Sequence, residues 1–429
     1  MSMTLPPDFA ARCGWYDSPD GLVLLSQIPE PYFGEPMILV SSQDQVGRLY
    51  PIDDTHVRRE DGTILDLDGL SRSSRYDEEE VTFDASGVPL AGTLITPTTT
   101  GQHPAAVLVH GAAGGQRDFN RLFVQPFLDA GVGVLIYDKA GHGLSGGSEP
   151  TIFDQADAAS AALDVLRMHP DVDAERVGLA GLSNGMWAVP MVAARRPPVA
   201  FVVGIGSPGV SMAESEVHRR TKILRDSGVG ERTVAAVARA WASAFAIAAA
   251  GTGSTDEAMV AELEHALAEV VGSPDLDRYV PPGYVEENPM LSPIPPLLPA
   301  RVLVEMLAGD PDPELMHDPF EDYRKVRCPV LLQYGAEDTS VPVRTSVERI
   351  TEALSGSGAE PTIRVYPGLE HLLNVVSDQV PDRDREADMY TFRDFTFGPG
   401  VRQELTSWLA DCASAREVAQ PLDAVDLRP

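Results

Sequence analysis

From residue 80 onward, short apolar runs alternate with longer amphipathic stretches, and this rhythm leaves few architectures open to the chain. The runs Ala105 to Val109, Gly133 to Tyr137, Val177 to Ala180 and Phe201 to Ile205 are almost continuously apolar. Strands of that kind are buried on both faces, as in a parallel sheet covered by helices. The intervening stretches, Phe119 to Ala130, Phe153 to Met168 and Asn184 to Arg195, carry helical spacing. Ahead of them, Val81-Thr82-Phe83 and Leu90 to Ile95 flank the turn residues Ala85-Ser86-Gly87 and read as an antiparallel pair. The rhythm stops after residue 205. It resumes with strands at Pro329 to Tyr334 and Thr362 to Tyr366, and a last helix from Val401 to Asp411.

The interruption is too long for a loop. Residues 206–319 hold helical segments (Glu231 to Ala250, Asp256 to Val271) and a Pro-rich stretch from Pro281 to Pro299, so a mostly helical insert is expected. Residues 1–79 differ again. Pro, Gly and Asp punctuate β-prone runs such as Met37-Ile38-Leu39-Val40 and Thr63-Ile64-Leu65, which predicts a small strand-rich addition. The expected organisation is an addition at 1–79, an α/β core at 80–205 and 320–413, an inserted helical cap at 206–319 and a loose tail at 414–429.

Charge excludes some partners. Asp and Glu number 64 against 33 Lys and Arg, a formal net charge of -31. Such a surface repels polyanions, so nucleic acid and an anionic membrane face are not expected partners. Cys13, Cys328 and Cys412 are isolated and form neither a disulfide framework nor a metal-binding pair. Met1 to Cys13 shows no basic and then apolar leader pattern, and a cytoplasmic location is expected. The Ala-rich stretch Val234 to Ala250 carries Arg239 and is short of the roughly 20 residues of a span. It reads as a buried or cap helix. A homodimer stays open.

The chemistry-bearing signal is Gly181-Leu182-Ser183-Asn184-Gly185, between the strand ending at Ala180 and the helix that follows. A sharp strand-to-helix turn lifts a serine hydroxyl clear of the backbone, and the helix N-terminus behind it favours developing negative charge. A serine hydroxyl still needs a base, and the base an orienting carboxylate. Asp338 stands in Gly335-Ala336-Glu337-Asp338 after one resumed strand, and His371 in Gly368-Leu369-Glu370-His371 after the next. Glu337 competes with Asp338 for the acid role. Loops at the carboxyl ends of parallel strands are where active sites collect. The small-residue loop His110-Gly111-Ala112-Ala113-Gly114-Gly115 follows the strand ending at Val109. It offers the Ala112 amide, or second the Ala113 amide, to pair with that of Asn184 as an oxyanion hole.

These five elements, with Tyr137-Asp138-Lys139-Ala140-Gly141-His142-Gly143 as the fifth, resemble the α/β-hydrolase superfamily over residues 80 to 413. Within it the chain is similar to bacterial serine esterases and serine aminopeptidase-like hydrolases. The resemblance implies a triad of Ser183, Asp338 and His371, an eight-stranded sheet, and a cap following the sixth strand. It departs at Ala140, where relatives often carry an arginine that braces the loop. His110 and His142 are expected in structural roles, and His218, His265 and His317 on the surface or in the cap.

The expected function is hydrolysis of a small, apolar carboxylic ester or related acyl substrate, with no metal and no cofactor. An aminopeptidase or amidase is the alternative, with Glu214 or Glu216 receiving a substrate amine. A thioesterase or acyltransferase, or a non-hydrolytic cyclase, would use the same scaffold. The apolar run Leu291 to Val304 is read equally as an acyl pocket or as cap core.

Overall fold

A computed structural model of the chain describes residues 12–18, 21–28, 37–42, 44–53, 55–59, 62–112, 115–196, 198–251, 256–273, 275, 293–307, 309, 311–359, 361–375 and 395–414. The strand-rich beginning is an antiparallel sheet. Its strands are β1 (Gly14–Ser18), β2 (Gly21–Ile28), β3 (Met37–Ser42), β4 (Gln45–Pro51), β5 (His56–Arg59), β6 (Ile64–Asp66) and β7 (Ser71–Arg72), in the order β6-β5-β4-β3-β2-β1-β7. One face of it, with Leu25, Leu49 and Val57, closes a small core of its own. Trp15, Leu22, Leu24 and Val46 on the other side pack into the core of the following domain.

The second sheet opens with the hairpin β8 (Tyr76–Ala85) and β9 (Val88–Pro97), antiparallel in continuous register from Tyr76↔Pro97 to Ala85↔Val88. Ser86 and Gly87 both take positive φ, 52° and 89°, as the two-residue turn of a right-twisted hairpin requires. The charged run Asp77 to Glu80 lies inside β8, the edge strand. Charges on an edge discourage pairing with other chains.

The parallel strands follow as β10 (His103–Val109), β11 (Gly133–Tyr137), β12 (Val172–Leu182) and β13 (Val202–Ile205). The expected single helix over 119–130 is broken into α1 (Arg117–Asn120), a 3-10 turn and α2 (Gln125–Asp129), with Pro126 in the first turn of α2. Proline lacks the N–H that would carry the helix through. Two full helices, α3 (Ile152–Met168) and α4 (Gly185–Arg195), lie against β12. Successive residues of the buried strands serve opposite faces. Val107, Val109, Leu135 and Leu179 pack with α3 and α4, while Ala106, Leu108, Val134 and Ile136 pack with Phe119 and Phe123.

Among the described residues, four helices then leave the sheet: α5 (Met212–Asp226), α6 (Glu231–Ala250), α7 (Glu257–Val271) and α8 (Ala300–Leu307). They share a separate apolar core that includes Leu224, Val237, Trp241, Phe245, Leu263, Ile294 and Leu303. α6 is long and apolar enough, at 20 residues and a mean hydropathy of 1.5, to cross a membrane by length and composition alone. Here Trp241 on α6 stacks on Phe245 at 5.5 Å and donates its indole N–H to the Pro293 carbonyl at 3.0 Å. The run Leu291 to Val304 is divided. Ile294, Ala300 and Leu303 are cap core, Leu297, Leu298 and Val302 are exposed, and its first two residues lie outside the described residues.

The chain returns through α9 (Phe320–Tyr323), β14 (Val330–Gly335), α10 (Val343–Ser355) and β15 (Pro361–Tyr366). The second sheet has the order β15-β14-β13-β12-β10-β11-β9-β8, eight strands, parallel from β15 to β11. The short strand β16 (Phe395–Thr396) crosses back to pair with β4 of the first sheet, Phe395 opposite Val46, before α11 (Val401–Ser414) packs on the core. The expected tail at 414–429 lies outside the described residues after Ser414.

Candidate active site

Parallel strands place their carboxyl ends on one edge, and the candidate residues all follow those ends: Ala112 after β10, Ser183 after β12, Asp338 after β14 and His371 after β15. Ser183 has φ 47°, one of three non-glycine residues with positive φ among those described. That conformation costs an L-residue roughly 1–2 kcal/mol. Two backbone bonds hold it there. Ser183 N–H donates to Ile205 of β13 at 2.8 Å, and Met186 N–H donates to the Ser183 carbonyl at 2.8 Å. The helix can start this close to β10 because residue 185 has no side chain: a Cβ there would stand 2.6 Å from the His110 carbonyl oxygen.

The candidate base and acid form a sealed pair. His371 Nδ1 lies 2.7 Å from Asp338 Oδ2, and the two residues are 1 % and 2 % exposed. The other carboxylate oxygen, Oδ1, accepts from the Ser340 and Val341 amides at 2.8 and 2.9 Å. Glu337, its competitor, is exposed. Gly206 links this pair to the serine. It follows Ile205, to which Ser183 is bonded, and a Cβ on it would lie 2.7 Å from His371 Cε1. The imidazole thus rests on the backbone next to the residue that anchors the serine.

The candidate oxyanion side is braced by two groups whose roles were not legible in the sequence. Buried Lys139 donates from Nζ to the Ala112 carbonyl at 3.3 Å and pairs with Glu149 Oε1 at 3.3 Å. Buried Gln155, on α3, donates from Nε2 to Asn184 Oδ1 at 2.9 Å. Among the described residues, no hydrogen bond occupies the amide of Ala112 or Asn184. A Cβ at Gly111 would stand 3.5 Å from the Ser183 Cβ, so the loop abuts the serine. Ala113, the second candidate, lies outside the described residues. Lys139 carried a signal, as one of only three lysines in the chain; Gln155 carried none.

Other candidates resolve into structure. His110 is buried with Nε2 against the Tyr137 carbonyl, and His142 Nδ1 lies 3.1 Å from the Ala140 carbonyl oxygen. At Ala140, without the arginine of relatives, the loop is held by Asp138, which accepts from the Arg117 and Leu144 amides at 2.8 and 2.9 Å. Neither candidate amine receptor is open. Glu214 closes a capping box with Ser211 at the start of α5, and Glu216 is paired with Arg219 at 2.9 Å and with Arg220. The arginines hold the Glu216 carboxyl below the usual range against the burial that would raise it.

The sheet order, the serine turn and the loops at its carboxyl edge define an α/β-hydrolase with an inserted cap. Residues 86–368, more than half of the chain, match the model of the X-Pro dipeptidyl-peptidase (S15) family. The chain belongs to that family, and is a hydrolase of the S15 serine peptidase and esterase type. Two uncharacterised proteins from two strains of Mycobacterium tuberculosis are 30% identical over 223 residues, which is 52% of this chain and 74% of each of them. Among solved structures, a 2,6-dihydroxy-pseudo-oxynicotine hydrolase is similar at 16% identity over 78% of this chain and 68% of that one, TM-score 0.43. A Pyrococcus furiosus esterase is similar at 16% identity (79% and 90%, TM-score 0.44), and a proline iminopeptidase of Mycobacterium smegmatis at 15% (78% and 99%, TM-score 0.45).

Proposed function

We propose that the protein hydrolyses a carboxylic ester through a Ser183–His371–Asp338 triad and an acyl-enzyme. The observation that carries this is the sealed 2.7 Å pair of His371 Nδ1 and Asp338 Oδ2, with its ring packed on Gly206 beside the anchor of Ser183. In this reading His371 takes the Ser183 proton through Nε2 as the hydroxyl oxygen attacks the carbonyl. Asp338 fixes the tautomer and stabilises the imidazolium. The amides of Ala112 and Asn184 receive the oxyanion, each worth on the order of 10²-fold in kcat or more. His371 then gives the proton to the leaving alcohol, and the same groups activate water to release the acid.

Family membership favours a second reading, cleavage of a dipeptide ending in proline from a peptide N-terminus. That substrate brings an ammonium group, and Glu214 and Glu216, the acidic side chains foreseen for it, are committed within α5. The ester reading is therefore placed first. A fluorophosphonate probe followed by peptide mapping tests the nucleophile, and label at Ser183 is expected. A screen of p-nitrophenyl esters of graded acyl length beside Xaa-Pro p-nitroanilides then separates the readings. Anilides turned over faster than every ester would replace the esterase by the peptidase.

A further inference from the structure

A cavity that the proposed chemistry does not use lies against the candidate oxyanion residues. Its volume is about 220 Å³, and it opens between the tip of the β8–β9 hairpin, the loop after β11 and the first turns of α3. Lys139 and Gln155 form part of its wall. From there Lys139 Nζ reaches the Ala112 carbonyl at 3.3 Å, and Gln155 Nε2 reaches Asn184 Oδ1 at 2.9 Å. One side chain, Gln155, thus touches both the cavity and the residue that follows Ser183.

The lining defines what the cavity can take. Gln155 is 4 % exposed, and its Oε1 has no hydrogen-bond partner. A buried acceptor left unpaired is destabilising, so this atom calls for a donor from the cavity. The charges favour a cationic donor. Three carboxylates, Glu149, Asp154 and Asp157, face one ammonium, Lys139, which is already paired with Glu149 at 3.3 Å. Among the described residues neither Asp154 nor Asp157 has an ion pair. Asp154 closes the capping box of α3 with Thr151, and Asp157 accepts from the Ser86 hydroxyl at 3.1 Å. The positive end of α3 is met by a further carboxylate, Glu314, which accepts from the Ile152 amide at 2.7 Å. This surplus attracts a cation and repels an anion. The floor of Val88, Leu90 and Ala158 is apolar, which suits a hydrocarbon body and not a hydrated metal ion. A cavity of about 150 Å³ already holds a benzene ring, so there is room for one ring or a short chain.

We propose that this cavity is an effector site for a small organic ammonium, whose N–H pairs with Gln155 Oε1, and that binding tightens the hold of Gln155 on Asn184 and raises the reactivity of Ser183. A cationic donor on Oε1 polarises the amide and strengthens the bond that Nε2 gives to Asn184. Binding itself does not depend on the hydrolase reading; its effect on Ser183 rests on that reading.

Calorimetry tests the site with benzylamine, protonated at neutral pH, against benzyl alcohol, its neutral isostere. Benzylamine is expected to bind about 10-fold or more tighter. Asp157→Lys, at an exposed position of α3, sets a fixed ammonium at the rim and is expected to abolish binding. Asp157→Asn is expected to weaken it by about 3-fold. Glu257→Gln, at an exposed acid of the cap, keeps the wild-type affinity. The rate of fluorophosphonate labelling at Ser183 reads the coupling, because benzylamine cannot contribute to it as an acyl acceptor. Saturating benzylamine is expected to raise that rate by about 3-fold or more in the wild type, and to leave it unchanged in Asp157→Lys and in Gln155→Leu. Equal affinity for the two probes, or binding that survives Asp157→Lys, overturns the site. Binding with an unchanged labelling rate overturns the coupling. Absence of label at Ser183 overturns the hydrolase reading and the coupling with it, while the calorimetry still decides the site.

Discussion

Asp338 and His371 meet through one 2.7 Å contact between Oδ2 and Nδ1, and the remaining Asp338 oxygen is fixed by two backbone amides. The carboxylate therefore has no freedom to rotate, and the imidazole presents its other nitrogen in one direction. Asp338→Asn should keep this packing but favour the wrong tautomer, lowering kcat by up to about 10⁴-fold. Glu337→Gln, at an exposed position, should change kcat little. Steady-state kinetics on one aryl ester decides, and reversed effects would move the acid to Glu337.

Ser183 separates stability from activity. Its φ of 47° is unfavourable for any residue with a Cβ. Ser183→Gly should raise stability by about 1 kcal/mol or somewhat more while reducing ester hydrolysis by on the order of 10³-fold or more. Ser183→Ala should lose the same activity without the gain. Urea denaturation beside the ester assay measures both, and equal stability in the two variants would refute the strain argument.

Gly206→Ala tests the seat of the imidazole. The added methyl would arrive 2.7 Å from His371 Cε1, at a residue whose φ of 60° already disfavours a side chain. If His371 is the base, as proposed, displacing its ring by about 1 Å is expected to cost on the order of 10²-fold in kcat. The variant should still label with a fluorophosphonate, but slowly. Wild-type kcat would show that the ring does not depend on this contact.

Lys139→Met and Gln155→Leu address the braces behind the proposed oxyanion amides. Neither touches the triad, yet each removes the bond that fixes Ala112 or Asn184. A loss of about 10-fold in kcat with little change in KM is expected, since the amides act on charge that develops only in the transition state. A rise in KM at constant kcat would instead assign both residues to substrate binding.

Trp241→Ala should damage the cap. The indole is 1 % exposed, stacks on Phe245 and lies 4.3 Å from the Arg220 guanidinium. Truncation of such a residue typically costs about 3–5 kcal/mol. Thermal unfolding should show the loss. An unchanged melting temperature with a shifted acyl-length optimum would make Trp241 a pocket residue.

Much of the hydrolase domain was legible because its signals are local. Continuous apolar runs mark strands that must be covered on both faces, and a serine between glycines at a strand-to-helix junction marks a turn that few other residues tolerate. Those features fixed the order of Ala112, Ser183, Asp338 and His371 along the chain, and with it the edge of the sheet where they gather. What depends on contact between distant segments was not legible. β16 joins the first sheet only because Phe395 finds Val46 across some 350 residues of chain, and Trp241 became cap core with its indole N–H donating to the Pro293 carbonyl, 52 residues further along. The reach of Lys139 to the Ala112 carbonyl and of Gln155 to the Asn184 side chain belongs to the same class. A sequence states which groups a chain carries and the local backbone they favour; which of them end up paired is decided by packing, because only the folded chain determines where water is excluded and which partners remain within reach.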